Sequence, residues 1–228
     1  MLKRLFAAAG LAGLLAGSLL TVIQQIHVKP ILLEAERYEE SAAASTGAAG
    51  DQASKLDHAH DEGWKPANGW ERTLFTLASN VVLGIGLALL LGALVCMRGK
   101  IITWRSGLLW GAGGYAVFFA APSLGLPPDV PGAEAARLAD RQLWWLLAVF
   151  CTGTALWLFV FVPNFLLKLL GILLLGLPHL IGAPQPHVHS SVAPAELAHA
   201  FIYACIYANA VFWLLLGGSL GFFHQKLA

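Results

Sequence analysis

The stretch of sequence that decides the fold is residues 142–182, which read QLWWLLAVFCTGTALWLFVFVPNFLLKLLGILLLGLPHLIG. Two apolar runs, 142–162 and 165–182, are separated only by Pro163 and Asn164. A helix needs about 20 apolar residues to cross a bilayer, and each run comes close to that length. The stretch therefore predicts a tight hairpin of two transmembrane helices.

The rest of the chain contains four more runs of this kind, at residues 5–26, 73–97, 104–122 and 197–223. The 228-residue chain is 57% hydrophobic and 12% charged, and its mean hydropathy is +0.68. Soluble domains carry about 25% charged residues. We therefore predict an all-α, polytopic membrane helix bundle of about six spans, forming a single transmembrane domain over residues 1–228. If the turn at Pro163 and Asn164 were part of one helix, the count would fall to five.

The basic residues fall into two groups, and this division predicts the orientation in the membrane. Seven of them have no acidic neighbours, namely Lys3, Arg4, Arg98, Lys100, Arg105, Lys168 and Lys226. Short loops rich in Lys and Arg stay in the cytoplasm, so we place these residues and both termini inside. All 13 Asp and Glu residues and seven of the eight His then belong to the outer side.

The first outer segment, residues 27–72, is predicted to begin as a helix that prolongs the first span, with a kink at Pro30. Residues 41–55, rich in Ala, Ser and Gly, are typical of a flexible linker.

Carboxylates and imidazoles on the outer side are candidate metal ligands, because oxygen and nitrogen ligands together suit divalent transition metals. The candidates are His179, His187, His189, Glu196, His199, His58, His60 and Glu36. Glu196 and His199 share a helical face at i and i+3, as in the Glu-x-x-His pairs of helical metal sites. Since only a short outer loop separates the last two spans, we expect His179, Glu196 and His199 to lie at the same depth on neighbouring helices. Each candidate also has a structural interpretation, as a solvated loop residue or as part of a helix end.

Polar residues inside the spans allow two interpretations. Asn80 and Asn209, with Gln24 and Gln25 near the outer end of the first span, could line a path open to the outside. They could equally form hydrogen bonds between helices, as such side chains often do in membrane bundles.

Several functions are disfavoured by the sequence. The Arg98-Gly99-Lys100 triplet lacks the first glycine and the final Ser or Thr of a phosphate-binding loop. The three cysteines lie singly inside apolar runs, and a net charge of +1 without a basic stripe argues against nucleic acid. We predict neither an enzyme nor a bound cofactor.

Five motifs in succession resemble the CbtA family, whose members are predicted cobalt transporter subunits of bacteria. They are Glu34-Ala35-Glu36-Arg37-Tyr38-Glu39, Glu71-Arg72-Thr73, Arg141-Gln142-Leu143-Trp144-Trp145, residues 177–184 (LPHLIGAP) and Pro194-Ala195-Glu196-Leu197. The resemblance implies cobalt uptake for cobalamin synthesis, in the bacterial inner membrane, beside a small, His-rich, single-span CbtB subunit. The family is usually described with five spans.

The resulting hypothesis is a subunit of a divalent metal uptake transporter that captures its ion with the outer His, Glu and Asp side chains. Co²⁺ is the expected ion, and Ni²⁺ and Zn²⁺ accept the same ligands. Expected partners are membrane lipid and a CbtB-like subunit, and a homo-oligomer is a further alternative. The main rival is a non-transporting membrane sensor or assembly scaffold, because the inner halves of the spans contain few polar residues beyond Thr152 and Thr154. An intramembrane enzyme with a metal site is a third alternative.

Overall fold

A computed structural model describes residues 2–48, 66–99, 102–186 and 192–227. Its α-helices are α1 (Leu2–Ile23), α2 (Lys29–Ala48), α3 (Trp70–Met97), α4 (Trp104–Tyr115), α5 (Ala121–Ser123), α6 (Leu138–Phe161), α7 (Phe165–Ile181) and α8 (Ala195–Lys226). Two π-helical turns, Gln24–Val28 and Ala116–Ala120, join α1 to α2 and α4 to α5. The described part of the chain thus forms six continuous helical segments, one for each predicted run, and the all-α fold is confirmed.

Four helical stretches are long and apolar enough, by length and composition, to cross a membrane. They are Leu2–Ala42, Trp70–Met97, Leu138–Phe161 and Ala195–Lys226. Helix α7 is apolar but shorter, with 17 residues. It begins sharply because the side chain of Asn164 accepts hydrogen bonds from the backbone N–H groups of Leu166 and Leu167. The hairpin of α6 and α7 is therefore present, while the number of six spans remains a prediction.

The helical extension of the first span is longer than predicted. The chain is helical from α1 through the turn Gln24–Val28 to the end of α2 at Ala48. The π-turn lies just before Pro30, which has no N–H to donate to the preceding turn. The predicted linker 41–55 does not begin at residue 41, because its first, alanine-rich part favours helix. Residues 49–65 lie outside the described ranges.

Helices α1 and α3 pack antiparallel through glycines, which allow close backbone approach. A Cβ atom added at Gly17 would lie 2.6 Å from the backbone oxygen of Asn80. One added at Gly84 would lie 2.9 Å from the backbone oxygen of Gly13. The alanine-rich face of α1, formed by Ala8, Ala9, Ala12 and Ala16, is fully buried. Helix α1 is therefore a central helix of the bundle.

Helix α8 packs against α1 on one side and against α4 on the other. The contact with α4 is again between glycines, since a Cβ atom at Gly217 would lie 2.7 Å from the Cα of Gly111. The expectation that the last two predicted spans are packed neighbours is wrong, because no extended packing joins α7 to α8 in the described ranges. Helix α7 instead packs along α6, where its Gly171 faces the ring of Phe159. A short turn joins the α6–α7 pair, whereas close approach at glycines marks the pairs α1–α3 and α4–α8.

The antiparallel pairing gives the bundle two chemically different ends. Leu5 of α1 contacts Gly92 near the end of α3, and Thr103, just before α4, contacts Gly221 near the end of α8. We call this the basic end, and its described charged side chains are Lys3, Arg4, Arg98, Arg105, Lys168 and Lys226. The opposite, acidic end contains every Asp and Glu of the described residues.

Candidate metal-handling face

The acidic end is a packed platform rather than a set of separate loops. A second buried cluster consists of Ala35 of α2, Val130 of the α5–α6 loop, Ala193 just before α8, and Phe201 of α8. The loop also approaches α2 at Gly132, where an added Cβ atom would lie 3.5 Å from the side chain of Glu39. The carboxylates of this end are therefore carried on elements that pack against one another.

Glu36, a predicted ligand, is engaged in an ion pair. Arg72 Nη2 donates to Glu36 Oε1 at 2.8 Å, and Arg72 Nη1 donates to Glu36 Oε2 at 3.4 Å. Both side chains are about one-third exposed or less. The pair joins α2 to the first turn of α3. An ion that bound this carboxylate would compete with Arg72 for it, since both oxygens accept hydrogen bonds from the guanidinium. The one feature of the sequence that could have indicated this partner is the position of Arg72 at the outer start of the second span.

His179 lies in the last turn of α7 and is exposed. Its ring meets the indole of Trp144 edge-on, with ring centres 5.9 Å apart. The Trp144 Nε1–H donates to the backbone oxygen of Pro178 at 3.1 Å. Gly182, with φ of 85°, then ends the helix. Trp144 therefore fixes the position of His179, and sequence reasoning had not assigned it this role.

Glu196 and His199 lie in the first turns of α8, and both are exposed. Within the described ranges, no three His, Cys, Asp or Glu side chains gather closely enough to hold a metal ion. The expected grouping of His179 with Glu196 and His199 is therefore not assembled in this structure. The four remaining candidates, His58, His60, His187 and His189, lie outside the described residues.

A crevice of about 120 Å³ at the acidic end was not anticipated. Asp129, Glu134, Arg141 and Gln185 are among its lining residues. Arg141 Nη2 lies 3.6 Å from Asp129 Oδ2, so one of the two carboxylates is already paired. The crevice places Glu134 and the amide of Gln185 beside the segment that leads to His187.

Asn80 forms hydrogen bonds between helices, as one of its two interpretations predicted. Its side chain is 8% exposed. Its Nδ2 donates to Thr21 Oγ1 at 3.0 Å and to Gln24 Oε1 at 2.7 Å. Asn209 instead donates to the backbone oxygen of Cys205 in its own helix, at 3.0 Å. Asn80 thus uses both amide N–H groups in bonds between helices, whereas the described bond of Asn209 lies within its own helix.

The hydrogen bonds between α1 and α3 continue toward the acidic end. Gln25 Nε2 donates to Thr73 Oγ1 at 3.1 Å, and Lys29 Nζ donates to Gln25 Oε1 at 3.0 Å. We call the set Thr21, Gln24, Gln25, Thr73 and Asn80 the polar seam. The ammonium group at its outer end would repel a divalent cation. The seam is therefore suited to holding helices together rather than to conducting an ion.

The fold and the charge distribution together define a helical membrane protein with one acidic and one basic end. Residues 2–225 match the family described as a probable cobalt transporter subunit (CbtA). The chain belongs to the CbtA family, which confirms the resemblance seen in its motifs. A family of probable transporter subunits implies a partner subunit and a role other than catalysis. No match was found among curated proteins or among solved structures.

Proposed function

We propose that this chain is the ion-capturing subunit of a cobalt uptake transporter in the bacterial inner membrane, with its acidic end outside. The observation that supports this proposal best is the separation of charge. Every described carboxylate lies at one end of the bundle, and the opposite end is basic. A face lined by carboxylates raises the local concentration of cations. The positive-inside rule places the basic end in the cytoplasm.

Capture proceeds from attraction to ligand exchange. Carboxylates such as Glu134 and Glu196 attract the hydrated ion, and imidazoles then replace part of its water. His179 and His199 are exposed at this end and available for that exchange. The further ligands we propose are His58, His60, His187 and His189, with Glu36 once Arg72 has released it.

Passage through the membrane requires a second chain. The buried polar side chains of the described residues are Thr21, Asn80, Thr152 and Ser219. Of these, Thr21 and Asn80 are bonded in the polar seam, and Ser219 donates to a carbonyl of its own helix. These groups offer a divalent cation little in place of its water. We therefore propose that a CbtB-like, His-rich, single-span subunit supplies the missing ligands, and that the cobalt serves cobalamin synthesis.

The test is cobalt accumulation in cells that express the chain alone, the chain with its partner subunit, or neither. Replacing one ligand leaves an open coordination position, so His179→Ala, Glu196→Gln and His199→Ala should each weaken uptake at scarce cobalt by about tenfold or more. His224→Ala, at the basic end, is the control and should match the parent. All variants are compared at equal amounts in the membrane. Parental uptake by all three acidic-end variants would remove these residues from the proposed site.

A sensor or assembly scaffold is the second candidate, and the dispersed ligands favour it. No group of three ligands is assembled in the described part of the chain. A scaffold would bind Co²⁺ in purified form but would not increase cellular cobalt, even with the partner present. Competition by Ni²⁺ and Zn²⁺ in the same assay defines the ion, because affinity order alone does not favour cobalt over them.

A further inference from the structure

An arginine at the basic end lies over two aromatic rings. The Cζ atom of Arg98 is 3.6 Å from the ring centre of Phe161 and 5.9 Å from that of Trp157. The two rings meet edge-to-face, with centres 4.7 Å apart. Arg98 follows the last residue of α3, whereas both aromatic residues belong to the end of α6. This cation–π contact therefore joins two helices that share no extended packing in the described ranges.

The contact connects two separately packed units. Helices α1, α3, α4 and α8 form one packed unit, the core, with a shared buried cluster and close approaches at glycines. The α6–α7 hairpin meets this core mainly at the π-turn Ala116–Ala120 and at α5, in the acidic half. At the basic end, Phe161 stacks on Trp110 with ring centres 5.8 Å apart, and Arg98 covers it. The hairpin is thus held to the core at two separate places.

Arg98 is a positive charge that contacts aromatic rings rather than a carboxylate. No Asp or Glu occurs between residues 73 and 128, and no described carboxylate pairs with Arg98. The ring faces of α6 take the place of a counter-ion. A guanidinium held at the cytoplasmic end repels a divalent cation that arrives there, so the cation leaves most easily when Arg98 has moved.

We propose that Arg98, Trp157 and Phe161 form an inner latch, which holds the α6–α7 hairpin against the core while the acidic end receives the ion and opens when the ion is released. Rocking of one packed unit against another is a common form of alternating access. A π-turn inside a helix often marks a functional position, and Ala116–Ala120 lies where the hairpin meets the core. A groove of about 660 Å³, lined mainly by apolar residues of this π-turn, α5 and α6, lies beside this contact. This inference rests on the proposed function.

The latch is tested first without any transport measurement. Cys96, half-buried and two residues before Arg98, reports on opening of the basic end. Cys151 and Cys205 are replaced by alanine, and inverted membrane vesicles are treated with a membrane-impermeant maleimide. Loss of a cation–π contact should raise the labelling rate of Cys96 about threefold or more in Arg98→Gln and in Phe161→Leu. The double variant should label no faster than either single one, because both remove the same contact.

The matched control is Arg105→Gln. Arg105 lies 5.3 Å from the ring centre of Trp104, its own neighbour in α4, so this cation–π contact does not join two helices. It should leave Cys96 labelling at the parental rate. Labelling unchanged by Arg98→Gln and Phe161→Leu, at equal membrane amounts, would overturn the latch.

Cobalt uptake with the partner subunit then tests whether the latch belongs to the transport cycle. Without the latch, fewer molecules remain ready to capture the ion, so the initial uptake rate of Arg98→Gln should fall about threefold or more. Faster Cys96 labelling with parental uptake would show a contact that is only structural, and would overturn the proposal. A parent chain that accumulates no cobalt would contradict the proposed function itself, while the labelling result would still decide whether the contact closes this end.

Discussion

At the scale of single residues, the candidate ligands differ in how far they are free to bind. His179, Glu196 and His199 are exposed, whereas Glu36 is held by Arg72 through two hydrogen bonds. The sequence showed that all of them belong to the acidic side, because charge separation can be read along the chain. It did not show the ion pair, which depends on α2 and the start of α3 lying side by side. A carboxylate in such a pair stabilises the fold before it binds any metal.

The ion pair should be visible as a coupling energy. Glu36→Gln and Arg72→Gln should each lower the thermal stability of the detergent-solubilised chain, and the double variant should lose little more than one of them. The coupling expected for a partly exposed pair is up to about 1 kcal/mol. Additive losses in this double-mutant cycle would show that the two side chains act independently. Glu34→Gln, on an exposed neighbour in α2, is the matched control.

Asn80 should act on stability rather than on transport. Asn80→Leu leaves Gln24 Oε1 without its donor in a half-buried position, which costs about 1–3 kcal/mol. The neighbouring exposed residue provides the control, since Ser79→Leu removes no described interhelical bond. Cobalt uptake per folded molecule should be unchanged by Asn80→Leu. A large loss of uptake with parental stability would instead assign the polar seam to the ion path.

At the scale of helices, positions could be predicted from sequence but partners could not. Each helical segment contains one predicted apolar run, because such a run is long enough to favour a spanning helix. Which helices pack together depends on which small residues face each other at the same depth in the bundle. That depends on the relative position of two helices, which the sequence does not give. The short loop between α7 and α8 suggested a pair that the structure does not contain, whereas α8 packs closely against α4 at its glycines. The grouping of His179 with Glu196 and His199 is absent from the described residues for the same reason, since these side chains come from α7 and α8.

Substitutions at two glycines of α1 distinguish the effect of helix packing from that of helix propensity. Gly17 faces the backbone of Asn80 in α3, whereas a Cβ atom at Gly10 would meet nothing within 4 Å. Alanine favours helix over glycine by up to about 1 kcal/mol at either position. Gly10→Ala should therefore be neutral or stabilising. Gly17→Ala should lower stability by about 1–3 kcal/mol, because the helices must move apart. Heating the two purified variants in detergent compares them directly, and equal melting temperatures would show that α1 and α3 pack less closely than described.

At the scale of the whole molecule, the two ends differ in charge, and the fold alone does not say which end faces the cytoplasm. The sequence predicted this division, because successive loops of a membrane protein alternate between the two sides, and here they also alternate between acidic and basic. The structure brings the loops together in the predicted groups, with Thr103 beside Gly221 at one end and Glu36 beside Arg72 at the other. The orientation therefore depends on the positive-inside rule, which concerns insertion into the membrane rather than packing.

Orientation decides the direction of ion flow, so it is the prediction on which the proposed uptake depends. In a chain without its native cysteines, Ala135→Cys reports on the acidic end and Gln225→Cys on the basic end, since both positions are exposed. Because short basic loops are retained in the cytoplasm, a membrane-impermeant maleimide should label residue 135 in intact spheroplasts. Residue 225 should react only after the membrane is permeabilised. The reverse pattern would place the carboxylates inside, where they would collect metal from the cytoplasm, and the chain would then be suited to export rather than uptake.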